Sequence, residues 1–377
     1  MKKIYWRPQG MPLVGFIIVA LFAIGGLAAV EHFQVLAEKS YYRDKINAAK
    51  LAFAAMAVIK QEQLERGMII DPEIDPSGSG LIGSFVSLVT TDAGDLEAKQ
   101  TSVNANFAAI LVDLIKKLKL KPGDPVAVSL SGSFPAINIC VYAALETLHL
   151  KPTVISSAGA SQWGANDPLF LWIDMENALY NKHIFSFHSA AASMGGKNDK
   201  AREITDKGRS LVIDAIKRNK LPLVRAPRVT QDIDERMNIY FRQASPKVYI
   251  NVGGGVASAG VKTFKKFLKP GLLPAKLPVD TKTDSVINRF LKEDIPVIHL
   301  ENIKQLAKHY GLPLTPGKLP RVGEGSIYYQ KRYNPWLTGG LLVGIIFGLY
   351  VFGRVDWGFR MLRASAKEKL GPPEPMV

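Results

Sequence analysis

Two uncharged apolar runs bracket the chain, and between them the period of the apolar positions keeps changing. Residues 12–30 (PLVGFIIVALFAIGGLAAV) and 336–353 (WLTGGLLVGIIFGLYVFG) carry no charge. About 20 such residues carry a helix across the hydrocarbon core of a bilayer, so both runs predict transmembrane helices. A cleaved signal peptide shares the basic start and apolar stretch of the first run, and Gly26-Leu27-Ala28 is a passable cleavage site; the length of the run favours an uncleaved anchor. From 31 to 66, Ile46, Ala49, Phe53, Met56 and Ile59 recur at helical spacing among charged residues, predicting a stalk helix that continues out of the membrane. A Gly/Ser/Pro-rich loop follows Gly67. Strand-like runs at 84–90, 125–130, 153–156, 182–187, 247–252 and 295–300 then alternate with helical periods at 95–118, 134–148, 168–180, 199–219 and 231–243.

This alternation predicts an α/β fold: a mostly parallel sheet with helices on both faces, flanked by an N-terminal and a C-terminal transmembrane helix. The expected organisation is a cytoplasmic N-terminus (1–11), a transmembrane helix (12–30), a stalk helix (31–66), an extracytoplasmic α/β body (67–335), a second transmembrane helix (336–353) and a basic cytoplasmic tail (354–377). Gly340, Gly344 and Gly348 repeat every fourth residue in the second run, a spacing that lets another helix approach closely.

Charge sets the orientation. Lys2, Lys3 and Arg7 precede the first run, and Arg354, Arg360, Arg363, Lys367 and Lys369 follow the second. The positive-inside rule therefore predicts a two-pass protein of the cytoplasmic membrane with both termini cytoplasmic and the main body outside. The chain has 377 residues and a formal charge of +15, of which +10 lies between the two runs. Its hydrophobic content of 47% excludes general disorder. The single cysteine, Cys140, excludes an internal disulfide framework and multi-cysteine metal sites. Basic residues concentrate at 197–228 and 262–276, with Arg202, Arg209, Lys217, Arg218, Lys262, Lys265 and Lys266 as candidate contacts to a polyanion. Nucleic acid is not expected outside the cytoplasm, and no nucleic-acid motif is present; an acidic polymer or anionic lipid head groups suit the location.

Ligands of open α/β sheets bind beyond the carboxyl ends of the strands. There the sequence places Thr91, Ser131-Gly132-Ser133, Ser157, Gly159, Ser161, Asn166 and Gly253-Gly254-Gly255, small polar residues whose backbone N–H groups and hydroxyls suit phosphate or carboxylate ligands. No P-loop, G-x-G-x-x-G or G-x-S-x-G motif occurs, and no motif identifies a cofactor. Ser131 or Ser133 could act as a nucleophile with His188 as base. Asp92 and Asp167 could be general acids, metal ligands or helix caps, and capping is the commoner use of such residues. His183 and His188 are five residues apart, a poor spacing for a metal, so no metal site is predicted.

The strings LKPGDPVAVSLSGSFPAINI (120–139), VISSAGASQWGANDPLFLWIDMEN (154–177), NVGGGVAS (251–258), IPVIHLENIKQLAKHYGLPL (295–314) and TTDAGDLEAKQTSVNANFAAILV (90–112) resemble the bacterial poly-gamma-glutamate system protein family. The resemblance covers most of the body and includes membrane segments at both ends. It implies an accessory role beside the amide ligase and the synthase membrane subunits that make and export poly-gamma-glutamate, with the lipid bilayer and the anionic polymer as further partners. It transfers no catalytic residue; Trp163 and Gly164 join the loop residues above as matching positions. The alternatives that the sequence leaves open are an extracytoplasmic hydrolase or transferase acting on the polymer, and an anchored binding protein for another anionic ligand.

Overall fold

A computed structural model describes residues 13–275 and 283–354, with the backbone alone at Lys262 and Arg354. The basic residues at both chain ends that set the expected orientation lie outside the described side chains. The chain divides into two compact units: Met1–Glu38 together with Tyr329–Val377, and Lys39–Tyr328.

In the first unit, helices Leu13–His32 and Pro335–Arg354 pack on each other, and both are long and apolar enough to cross a membrane. Glycines set their separation. A Cβ on Gly26 would fall 2.0 Å from the Leu341 side chain, one on Gly344 2.9 Å from Phe22, and one on Gly348 3.3 Å from Val19. The glycine repeat therefore serves the first helix at two of its three positions, because nothing lies within 4 Å of a Cβ on Gly340. Strand Val35–Glu38 then pairs antiparallel with Tyr329–Arg332, Val35 opposite Arg332.

That strand corrects the predicted stalk. The helix stops at His32, and a new one runs from Tyr42 to Glu65 inside the second unit. It buries Ala48, Ala49, Ala52, Ala55, Met56 and Ile59 against helices Phe107–Lys117 and Pro135–Thr147. The alanine face lets three backbones approach closely, so this helix belongs to the core. Its Lys45 is fully enclosed, with Nζ 2.7 Å from Asp113 Oδ1 and 3.2 Å from the Ile327 carbonyl.

The sheet of the second unit has seven strands: β1 (Pro125–Ser131), β2 (Lys151–Ser157), β3 (Ala191–Ser193), β4 (Leu223–Val224), β5 (Tyr249–Val252), β6 (Gly271–Leu273) and β7 (Val297–Leu300). Their spatial order is β6-β7-β5-β1-β2-β3-β4. All pairs are parallel except β6 with β7. Pairing proceeds outward from β1 in both directions, so the topological switch point lies between β1 and β5.

Alternate strand residues face two different cores. Ala127, Ile155, Ala191, Tyr249 and Val297 join Ile233 and Tyr240 of helix Val229–Phe241, and Ile287 and Phe290 of helix Val286–Lys292. Ser156, pointing the other way, accepts a hydrogen bond from Trp172 Nε1 of helix Trp172–Asn181. Helices thus cover both faces, as the alternation implied.

Several predicted elements shift. Segment 84–89 is a loop, and only Thr90–Asp92 forms a strand, paired with Ala160–Ser161. The expected helix at 95–118 is two, Leu96–Ser102 and Phe107–Lys117, and its N-cap is Asp95. The strand expected at 182–187 lies instead at Ala191–Ser193, and the helix expected at 199–219 begins at Asp206.

Candidate functional site

The loops leaving β1, β2, β3 and β5 converge. Their contacts are so close that side chains are excluded. A Cβ on Gly132 would lie 2.9 Å from Gly159 O, one on Gly159 2.6 Å from Met194 O, and one on Gly253 2.9 Å from Ser131 Cβ. Three of the expected free backbone donors, however, are spent on neighbouring strands and loops. Gly132 N–H donates to Ser157 O, Gly159 N–H to Met194 O, and Gly253 N–H to Leu300 O. Hydrogen bonds of the parallel ladder continue past the strand ends, so these glycines serve close packing and do not form an anion nest. Beside the loop after β5 stands a carboxylate of the chain itself: a Cβ on Gly254 would fall 2.0 Å from Glu301 Oε1, and Lys265 Nζ donates to Gly254 O.

Other predicted residues hold the scaffold. Asn166 is buried and clamps the 84–90 segment, accepting from Ser84 N–H (3.0 Å) and donating to Ser84 O (2.7 Å) and Thr90 Oγ1 (2.9 Å). Thr91 Oγ1 donates to Ala160 O, and Ser157 Oγ to Gly159 O. Asp92 and Asp167 cap no helix; each accepts from a nearby backbone N–H, of Ala93 and Leu169 respectively. Ser131 Oγ accepts from Ser133 N–H, and Ser133 Oγ from Ser161 N–H. His188 precedes β3, at the amino ends of the strands, with its ring against Tyr180 and Nδ1 3.0 Å from Ser189 O. It is thus at the wrong edge of the sheet to act as base for Ser131 or Ser133, which stand where β1 ends.

What the sequence reading missed is Lys99. Helix Leu96–Ser102 inserts it beneath the converging loops, where it is 2% exposed. Its Nζ donates to the Ser133 carbonyl, lies 2.8 Å from Ser161 Oγ, and sits 4.1 Å from the centroid of the Phe134 ring. Burial pulls its ammonium down to about 7, against the opposing pull of Asp95. One sequence signal pointed here: Asn104 and Asn106 interrupt the apolar period of 95–118, and both are buried at the break that ends the Lys99 helix.

Farther along the same edge, beyond β3 and β4, a cavity of about 560 Å³ is lined by Met194, Lys200, Asp206, Arg209, Ser210, Ile213, Arg225, Ala226 and Pro227. Arg209 donates to Asp206 and to the Ile204 carbonyl, and Lys200 Nζ to the Pro227 carbonyl. Arg225 has no hydrogen bond or ion pair among the described residues, so its guanidinium is available to an anion. The loop beside it is held by Asp199, which accepts from Ser193 Oγ (2.9 Å) and Gly195 N–H (3.0 Å) and pairs with the buried Arg236.

The remaining predicted cations differ in role. Arg218 is bound to Asp174 and the Pro168 carbonyl. Lys265 stands 3.8 Å from Glu301. Arg202, Lys217 and Lys266 are exposed, and the Lys262 side chain lies outside the described residues. Among the described residues no group of three or more His, Cys, Asp and Glu side chains is placed to hold a metal. No family model, curated protein or solved structure matches the chain.

Proposed function

We propose that the chain is a two-pass membrane protein that takes part in assembly or export of poly-gamma-glutamate, its body standing outside the cytoplasmic membrane and holding the polymer through its carboxylates. The observation that carries this reading is the cavity beyond β3 and β4, where Lys200, Arg209 and Arg225 face one acidic side chain, Asp206. Guanidinium groups bind carboxylates in a paired, planar fashion, and Arg225 is unengaged. A cavity of this size accepts a short stretch of chain, and the exposed Arg202 and Lys217 extend the basic surface on the same segment. Two further supports are the apolar helix pair and the sequence resemblance, which supplies the polymer's identity and the ligase and membrane subunits as partners.

The test is direct binding of poly-gamma-glutamate to the full chain in detergent micelles, compared with Arg225→Glu. Wild-type affinity is expected to fall with added salt, and the variant to bind about tenfold or more weakly, as expected for a lost charge-assisted contact replaced by repulsion. Equal affinity of variant and wild type would remove the cavity from the reading.

A further inference from the structure

We propose that Ser161 and Lys99 form a serine–lysine dyad for acyl transfer, with Ser161 Oγ as nucleophile and Lys99 Nζ as its general base. The two atoms are 2.8 Å apart, within the distance proton transfer needs. Lys99 is shut away from solvent while Ser161 is half-buried, so an incoming carbonyl meets the hydroxyl and not the amine. Lysine used as a base must shed its proton near neutral pH, and desolvation is the usual means. Here burial brings Lys99 to about 7. Of the groups around it, Ser133, Ser161 and Phe134 carry no charge. Asp95, on its own helix, favours the charged form, but is itself engaged by Lys304 at 2.7 Å, which also binds Glu97 at 3.0 Å.

The backbone fixes the nucleophile equally well. Ser161 N–H donates to Ser133 Oγ, and its carbonyl accepts from Gly164 N–H across a turn in which Trp163 has φ 56°. That left-handed value costs free energy in a tryptophan. Two glycines let the turn close: a Cβ on Gly94 would lie 2.4 Å from Gln162 O, and one on Gly164 2.9 Å from Ser133 Cα. A strained turn packed by glycines on both sides holds the hydroxyl in one place over the lysine.

In the reaction, neutral Nζ takes the proton of Ser161 as Oγ adds to the carbonyl carbon of an amide or ester. The carbon–nitrogen or carbon–oxygen bond breaks, and the ammonium returns its proton to the leaving amine or alkoxide, leaving an acyl-serine. Water then adds to the acyl carbon while giving a proton to Nζ. Collapse expels Ser161 Oγ, which recovers that proton, and the acid is released; an amine in place of water completes a transfer. The substrate class, an amide bond of a carboxylate-rich polymer, rests on the function proposed above; the dyad itself does not.

The test reacts the full chain in detergent micelles with a fluorophosphonate, a serine-directed electrophile that needs no polymer recognition. Labelling is expected at Ser161, identified by peptide mass spectrometry, and should rise with pH through about 7. It should be abolished in Ser161→Ala and fall about 10²-fold or more in Lys99→Met, the scale of general-base catalysis. Ser186→Ala, before β3 at the opposite edge of the sheet and bonded to Glu146, should retain it. Ser161→Cys provides a readout that leaves Lys99 in place: its thiol, beside the ammonium, should alkylate at pH 7 about tenfold faster than an unperturbed cysteine. No labelling of Ser161 in the folded chain at pH 8, or labelling with no pH dependence and ordinary alkylation of the cysteine variant, would overturn the dyad. Labelling without any shortening or transfer of poly-gamma-glutamate would overturn the polymer as substrate and leave the dyad standing. Loss of polymer binding in Arg225→Glu with labelling unchanged keeps the two readings separate.

Discussion

Glu176 offers a quantitative check on the packing of the body. It lies in helix Trp172–Asn181, 2% exposed, with Oε1 accepting from Tyr142 Oη, Ser189 N–H (3.0 Å) and Ser189 Oγ (2.8 Å). Burial pushes its carboxyl up to about 7 from the ordinary 4.5, more than those hydrogen bonds can offset. The sign follows from which state releases its proton first. Below pH 4.5 both folded and unfolded chains are protonated at this site, and no penalty exists. Between 4.5 and about 7 the unfolded chain ionises and the folded one does not, so stability falls with rising pH; above about 7 the loss is complete. The gap amounts to about 3 kcal/mol. Glu176→Gln keeps the shape and an acceptor oxygen but cannot ionise. The variant should therefore gain on wild type as pH rises, by up to about 3 kcal/mol at pH 8, or roughly 6–12 °C in melting temperature for a body of this size. Thermal unfolding of both proteins in micelles at pH 5 and pH 8 measures this. A difference between the two proteins that is the same at both pH values would refute the buried, proton-retaining carboxyl.

Two further substitutions test the architecture. Ile59→Ala, at a fully buried position of the helix expected from sequence to be a stalk, should cost about 2–5 kcal/mol in denaturant unfolding; a change below about 0.5 kcal/mol would return that helix to the periphery. Gly344→Leu should push apart the two apolar helices, because its Cβ would meet Phe22 at 2.9 Å, while Gly340→Leu has open space and should be tolerated. Cysteines placed at positions 19 and 348 in a Cys140→Ala background report this: cross-linking should drop about tenfold in the first variant and persist in the second, a loss of about 1–3 kcal/mol of packing. Equal cross-linking in both would contradict the glycine contact.

The parts of this molecule that were legible in its sequence are those coded over short spans. Buried parallel strands announce themselves as compact apolar runs, and 125–130, 247–252 and 295–300 each overlap an observed strand. The small-residue loops after them were also visible. Long-range pairing was not. Val35–Glu38 is a strand because Tyr329–Arg332 lies beside it, a partner that no local period reveals. The same holds for Ala191–Ser193, whose three small residues carry no strand signal until β2 and β4 are set on either side. Lys99 was hidden for a different reason. A lysine among Glu97 and Gln100 reads as a wet helix face, and only the packing of loops over it makes it the most chemically altered lysine in the site. The triglycine loop is crowded by the chain's own charges, which no local pattern reveals: Glu301 and Lys265 both stand next to Gly254.

One small contact has a use beyond the chemistry. Lys39 N–H donates to the Tyr328 carbonyl at 2.8 Å, so the residues at which the chain enters and leaves the body touch. A domain whose ends meet is, to the gene, a removable cassette. Residues 39–328 could be recloned without either apolar helix, or closed into a ring by a short linker and reopened at the exposed turn 121–123 to give a circular permutant. The same geometry would let another pair of apolar helices carry this body without any change to its interior.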